Sequence, residues 1–486
     1  MSAVFRLSAL ATSLALAACA VGPDYERPAS AVSARFARDE SQAMQHDAAP
    51  AGTSADADAA FWRGFGDPAL TRLIDAALAA NQDLQLAVSR YDASNALLRE
   101  TRFDQIPTIT ASGQIGHRLT SKDQAFGAPR DQRDKPTSSV GINAAWELDL
   151  FGRVRRAVEA QRAETAASAA DVRAVRIAIA GEVARAYVDL RGSQERLRIA
   201  RENADNQRQT LVLIDARVGA GRGSELDAAR ARAQVESTTS RIAVYEAAIG
   251  VDEHRLAVLT GQPPGALIGE LDAPAPLPAL VADIDPGTPG DLLRRRPDVA
   301  AAEARLHAAT ARVGVATADL FPRFTLTGLL GSMTSSYGFF RSGSDTNQIA
   351  LGVDWSFLDV GRVRARLAAS NADAAGQLAQ YRQTVLGALE ETENALLRVA
   401  RTRDETTHLE RAATDSARAA QLAHARFTAG AIDYYEVLDA ERTLLQAQDA
   451  AADGRMRSAD ATVALYKALA GGWPSGAGPD APIARR

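Results

Sequence analysis

The chain has 486 residues, a formal net charge of −5 and an aromatic content of only 5%. That balance offers no basic surface for nucleic acid, and its single cysteine excludes an internal disulfide. The length allows two or more domains, and the many alanines suit long, closely packed helices.

The N-terminus reads as an export signal over residues 1–18. Arg6 supplies positive charge, and the apolar run Leu7 to Ala18 is too short to span a bilayer. It ends Leu16-Ala17-Ala18-Cys19. Small residues before a cysteine resemble a bacterial lipobox, in which the cysteine is lipidated and becomes the first mature residue. The alternative is an ordinary signal peptide with an incidental cysteine. Cys19 is the sole cysteine and stands where a lipobox needs it, which favours lipidation. Several acyl chains there would anchor the N-terminus firmly. By resemblance to lipoprotein sorting, Ala20 and Val21 lack the acidic residue that retains lipoproteins at the inner membrane, which points to the outer membrane. Residues 19–60 lack periodicity and read as a lipidated, extended tether.

A first repeat is expected over 61–261. Asp67-Pro68 places an N-cap before a proline at the first helical position, and helices follow to about Asp104. Two strands are expected, 107–117 and 138–150. In the second, Val140, Ile142, Ala144, Trp146, Leu148 and Leu150 alternate with Ser139, Gly141, Asn143, Ala145, Glu147 and Asp149. The pattern then turns helical until Gly219, a rod of roughly 100 Å at about 1.5 Å per residue. After a turn the chain returns, so 152–260 is a long helical hairpin. A Pro-rich linker occupies 262–291. A second repeat over 292–470 has strands 322–333 and 348–358 and a hairpin 361–470, and 471–486 is a flexible tail. The repeat is visible residue by residue. Pro107, Thr110, Gly113 and Gly116 recur as Pro322, Thr325, Gly328 and Gly331, and Trp146, Gly152 and Arg153 recur as Trp355, Gly361 and Arg362.

Four amphipathic strands of roughly ten residues have the length of membrane-spanning barrel strands. Four cannot close a barrel, and open edges facing lipid would leave backbone groups unpaired. Copies of the chain must supply the rest: three give twelve strands around a wet lumen, whereas two give eight and a filled interior. Glu147, Asp149 and Asp354 suit that lumen, and Trp146, Trp355 and Phe357 suit an aromatic girdle. Arg153, Arg155 and Arg156, with Arg362, Arg364 and Arg366, are candidates to meet anionic head groups. A soluble sandwich with one wet face is the competing reading. The fold class expected is therefore an α+β membrane protein. It is a homotrimeric twelve-stranded β-barrel, four strands per chain, joined to a long α-helical coiled-coil periplasmic barrel, with an internal two-fold sequence repeat.

The chain resembles the outer membrane factors, the outer-membrane efflux proteins of tripartite export systems, in their lipoprotein branch. The resemblance rests on Val21-Gly22-Pro23-Asp24-Tyr25-Glu26-Arg27-Pro28, Leu293-Arg294-Arg295-Arg296-Pro297-Asp298-Val299, Trp146 to Gly152, and Val437-Leu438-Asp439-Ala440-Glu441-Arg442. It implies a homotrimer in the outer membrane, both lipid-anchored and membrane-spanning. The partners implied are outer-membrane lipid, a periplasmic adaptor (membrane fusion) protein and an inner-membrane RND-type or other pump. It also implies a gate where the rods turn back. Glu436 and Asp439 match an acidic constriction ring, Asp227 matches an acidic position that helps hold the gate shut, and Gly221 and Gly430 mark the tips where the adaptor docks. Ile432 departs from the family, standing where some members carry a basic locking residue. As solvated helix charges these carboxylates would mean nothing by themselves.

No phosphate loop or metal-ligand spacing occurs, the six histidines are scattered, and no enzyme, cofactor or metal is expected. The function implied is passive conduction of small molecules out of the cell. The alternatives are a duct for type I protein secretion and a non-conducting coiled-coil lipoprotein that spans the periplasm.

Overall fold

The computed structural model describes residues 20–29, 32–37, 61–278 and 286–470. Cys19, the export signal, most of the tether and the tail lie outside the described residues. The long helices are α1 (Pro68–Ala80), α2 (Gln82–Phe103), α3 (Arg153–Gly219), α4 (Glu225–Leu259), α5 (Pro297–Ala318), α6 (Val360–Thr428) and α7 (Tyr434–Ala468). The strands are β1 (Thr108–Leu119), β2 (Asp134–Leu148), β3 (Arg323–Thr334) and β4 (Asp345–Asp354). No described helix is long and apolar enough to cross a membrane. The chain forms two compact units.

The first unit draws on the described parts of Met1–Ala29, Ser89–Ala169 and Ala301–Gln383. Its centre is an antiparallel sheet in the order β1-β2-β3-β4. The register sets Ala111 opposite Ile142, Ile142 opposite Leu330, and Leu326 opposite both Trp146 and Leu351. Directly opposed residues share a face, so the alternating apolar positions of all four strands form one surface, while Leu329, opposite Asn143, lies on the other. That surface is not covered. Ile109 is 70% exposed, Leu330 67% and Ile349 84%. β1 pairs only with β2 and β4 only with β3, so each outer edge carries a row of unpaired backbone groups.

Two expectations about the strand ends are corrected. β2 stops at Leu148 because Asp149 turns away to cap α3. It accepts the backbone N–H of Val154 (3.0 Å) and Arg155 (2.9 Å), satisfying donors that a helix start leaves open. Glu147 likewise takes both arms of the Arg153 guanidinium, at 2.8 and 2.5 Å. β4 stops at Asp354, so Trp355 and Phe357 lie beyond it. The indole N–H groups of Trp146 and Trp355 donate to the carbonyls of Gln105 and Leu320. Most of the arginines after the strands have carboxylate partners in place of free head-group-facing charges. Arg155 pairs with Asp149, Arg362 with Asp359 and Arg366 with Asp319.

Residues 20–29 are strapped onto this unit. Val21 donates to the Phe151 carbonyl (3.1 Å). Arg156, almost wholly buried, binds Asp24 (2.5 Å) and Glu159 (2.8 Å). Glu159 also meets His307 at 2.8 Å, and the His307 ring stacks on Tyr25 with centroids 4.4 Å apart. Arg27 pairs with Glu303 at 2.8 Å. The run after the sole cysteine is therefore held through the side chains of Asp24, Tyr25 and Arg27.

The second unit draws on the described parts of Ser30–Val88, Ala170–Ala300 and Thr384–Arg486. Asp67 caps α1 by accepting from Ala69 and Leu70, and also accepts the Tyr187 hydroxyl (2.7 Å). Arg191 reaches the Ala273 carbonyl (2.9 Å) and Gln194 (2.7 Å). Arg196 binds Asp449 and Asp453, and the Tyr245 hydroxyl completes the Asp449 carboxylate. Arg296 does most. Only 10% of its side chain is exposed, and it joins Asp298, Glu391 (2.7 Å) and the Ala468 carbonyl (2.8 Å). Elsewhere, burial pushes Asp252 and Asp460 up to about 7, helped by Asp189. A raised carboxyl binds its proton more tightly when folded, so this group stabilises less as pH climbs from the ordinary carboxylate range through about 7.

Replacing Arg296 with methionine keeps bulk but strands two carboxylates. Asp298 and Glu391 keep 39% and 42% of their side chains in water, so we expect a loss of about 1 kcal/mol, read as a lowered midpoint in thermal or urea unfolding.

Candidate functional site

The candidate site is the pair of turns at which α3 passes into α4 and α6 into α7, with the helical residues beside them. All of it lies in the second unit. Both turns end a very long helix in the same way. Gly221 donates to the Val218 carbonyl (2.9 Å) and Arg222 to that of Arg217 (2.8 Å). Gly430 donates to Phe427 (3.0 Å) and Ala431 to Arg426 (2.9 Å). The glycines sit at φ +68° and +74°, the left-handed conformation that ends helices without a Cβ penalty. Each next helix then has a polar residue before it. The Ser224 hydroxyl accepts from Leu226, and Asp433 precedes α7.

Below the turns the four helices share an apolar cluster. Ile214, Ala228, Ala231, Phe427, Tyr434, Val437 and Leu438 form it, with Leu211, Val218, Ala423 and Ile432 packed against it. Ile432 thus contributes packing and no charge. The aromatic positions carry cations: the Arg217 guanidinium lies 4.2 Å from the Phe427 ring centre and donates to the Phe427 carbonyl. Arg230 lies over Tyr435.

The three expected carboxylates are all near these turns. Glu436 and Asp439 are one turn apart on the exposed side of α7, opposite Val437 and Leu438. Neither makes an ion pair among the described residues. Asp227 is half-buried in the first turn of α4 and pairs with Arg230 at 3.6 Å. Among the described residues no group of three or more His, Cys, Asp or Glu side chains could hold a metal.

The structure adds a pair that the scattered histidines did not suggest. His424 Nε2 on α6 lies 2.8 Å from Glu441 Oε1 on α7. The Glu441 side chain is only 7% exposed, and the Thr210 hydroxyl on α3 also reaches it (3.4 Å). The hydrogen bond that His424 donates to Glu441 raises the His424 pKa, against the opposing effect of burial. The signal was positional: in an antiparallel hairpin turning near 430–433, positions 424 and 441 face each other.

Comparison with known proteins gives the following. The family model described as outer membrane efflux protein matches residues 73–262 and 288–471. The outer membrane protein OprJ of Pseudomonas aeruginosa is 34% identical over 492 residues, covering 97% of each chain. The toluene efflux pump outer membrane protein TtgI of Pseudomonas putida is 32% identical, covering 95% of this chain and 97% of its own. The solved structure of the outer-membrane channel OprN superposes with a TM-score of 0.86 at 38% identity, covering 94% of this chain and all of that one.

Because nothing lies within 4 Å of a Cβ added at Gly430, Gly430→Ala isolates backbone strain. It should cost about 1 kcal/mol locally, seen as faster amide exchange at the α6–α7 turn with the exchange of α1 unchanged.

Proposed function

The chain belongs to the outer membrane efflux protein family, and from that premise we propose that it is the exit duct of a tripartite efflux pump. The observation that carries this reading is the sheet. It has two unpaired edges and one apolar face, uncovered by any described part of the chain. Lipid suits the face but not the edges, since each unpaired backbone group in hydrocarbon costs several kcal/mol. Three copies, edge to edge, remove every edge and give a twelve-stranded barrel with an aqueous lumen. In this homotrimer the hairpins of α3–α4 and α6–α7 form the periplasmic helical tunnel, the two halves of the chain being copies of one plan. The protein performs no catalysis and passes solutes by diffusion.

Cys19, lipidated, anchors the mature N-terminus in the outer membrane beside the strap that begins at Ala20. The turns at Gly221 and Gly430 receive the periplasmic adaptor, which links the duct to an RND-type or other inner-membrane pump. Glu436 and Asp439, repeated three times around the tunnel mouth with Asp227 nearby, form the constriction. Like charges crowded in a narrow opening concentrate cations there. TtgI is described as part of a toluene efflux pump, and small-molecule export is the use proposed for this chain too.

The test is single-channel conductance of the purified, lipidated protein in a planar bilayer. We expect a small, cation-selective conductance that grows at least about twofold in the Glu436→Gln, Asp439→Asn double variant and loses cation selectivity. An unchanged conductance in that variant would place the constriction elsewhere.

A further inference from the structure

In the proposed duct, α7 must be held in the rotation that presents Glu436 and Asp439. The apolar cluster of the turns ends at Leu438. Beyond it the seam between α3 and α7 carries buried polar groups before the next apolar cluster, of Ile199, Leu445 and Ala452, takes over. Thr210 faces Glu441, and Asn203 donates to Gln448 at 2.8 Å. Between these two on α3 lies Gln207, 3% exposed, whose amide nitrogen and oxygen both lack hydrogen-bond partners among the described residues. Glu441 Oε2 is likewise buried and without a partner.

An apolar seam holds two helices at any pH. A polar seam with unmet groups holds them weakly. Beside Glu441 the charged contact that crosses from α7 to a neighbouring helix is the 2.8 Å bond between His424 and Glu441; the next, from Arg196 of α3 to Asp449, lies eight residues further along α7. Glu441 stands two residues beyond Asp439, on the opposite side of α7, so the contact that fixes one fixes the orientation of the other.

We propose that His424 and Glu441 are positioning residues of the gate helix, forming a proton-dependent latch that holds α7 against α6 and α3 and releases when His424 loses its proton. This rests on the duct reading. With the imidazolium present, the buried carboxylate has a counter-charge. Without it, a buried carboxylate remains with Thr210 and a neutral ring, an uncompensated charge in an interior site.

The surrounding charges do not substitute for the imidazolium. Glu441 is the charged group acting on His424. On α7, burial disfavours ionisation of Tyr434, and Glu441 and, from α4, Asp227 add to that. Asp227 is engaged by Arg230, and Arg217 of α3 is engaged over Phe427. The sign follows. His424 has a raised folded-state pKa, so the latch is fully present below the ordinary histidine value and is lost as pH rises through the raised one. The tip is tighter in acid and looser in base.

The experiment is conductance of the lipidated full-length protein in planar bilayers between about pH 5.5 and about pH 8.5. Wild type, His424→Gln, Glu441→Gln and the Glu436→Gln, Asp439→Asn double variant are compared. The latch predicts that wild-type conductance rises at least about threefold with pH and that either latch variant flattens the profile. The double variant should conduct more at every pH and keep the rise. Other groups that titrate near neutrality, such as Asp252 and Asp460, are common to wild type and His424→Gln and cancel in the comparison. Amide exchange of 424–441 gives an independent reading. Protection factors should fall about tenfold from acid to base in wild type and stay level in His424→Gln. A wild type and a His424→Gln protein with the same pH profile would overturn the latch while leaving the duct intact. No conductance from any of the four proteins would overturn the duct reading and the latch with it.

Discussion

The unpaired edges of β1 and β4 are the constraint on which the rest depends. A backbone amide in hydrocarbon has no water to bond with, so a sheet in a bilayer must close or fail. This chain carries four strands whose alternating apolar side chains, Ile109, Ile142, Leu326, Leu330, Ile349 and Leu351 among them, are brought to one uncovered face. In water that face would cost the burial of none of its isoleucines and leucines, and in lipid the edges would cost more. Assembly with further copies resolves both at once. In the proposed duct the sheet sets the stoichiometry.

The junction between strand and helix shows how closely sequence and geometry are coupled. A helix N-terminus disfavours cations, yet Arg153, Arg155 and Arg156 open α3. Glu147, Asp149 and Glu159 supply the compensation, and Asp24 adds to it from the strap. The segment that follows Cys19 is therefore seated on the first helix after the sheet. An acyl anchor on Cys19 would begin one residue from the described strap, whose Val21 bonds the residue just before the β2–α3 turn completes.

Much of this was legible from periodicity. Alternation marked the strands, because a sheet with one apolar face must repeat every two residues. Unbroken Ala-rich helical pattern marked the rods, and Gly221 and Gly430 marked their ends, because a left-handed helix stop favours glycine. Boundaries were less legible. Asp149 fits the polar side of a strand as well as it fits a cap, and only the turn of the chain decides. Arg296 was a similar case: three consecutive arginines look like a solvated run, but one of them is buried against Glu391, 95 residues away. The His424–Glu441 pair was hidden for the same reason. Neither residue stands out on its own helix, and their meaning comes from the register of the hairpin.

The account stands or falls on how many chains make the channel. The most direct measurement is the mass of the detergent-extracted, lipidated protein by native mass spectrometry. The account predicts a complex of three chains and no stable smaller species while the sheet remains folded. A folded single chain, or a complex of two, would contradict it, because neither could close the edges of β1 and β4 around a water-filled lumen.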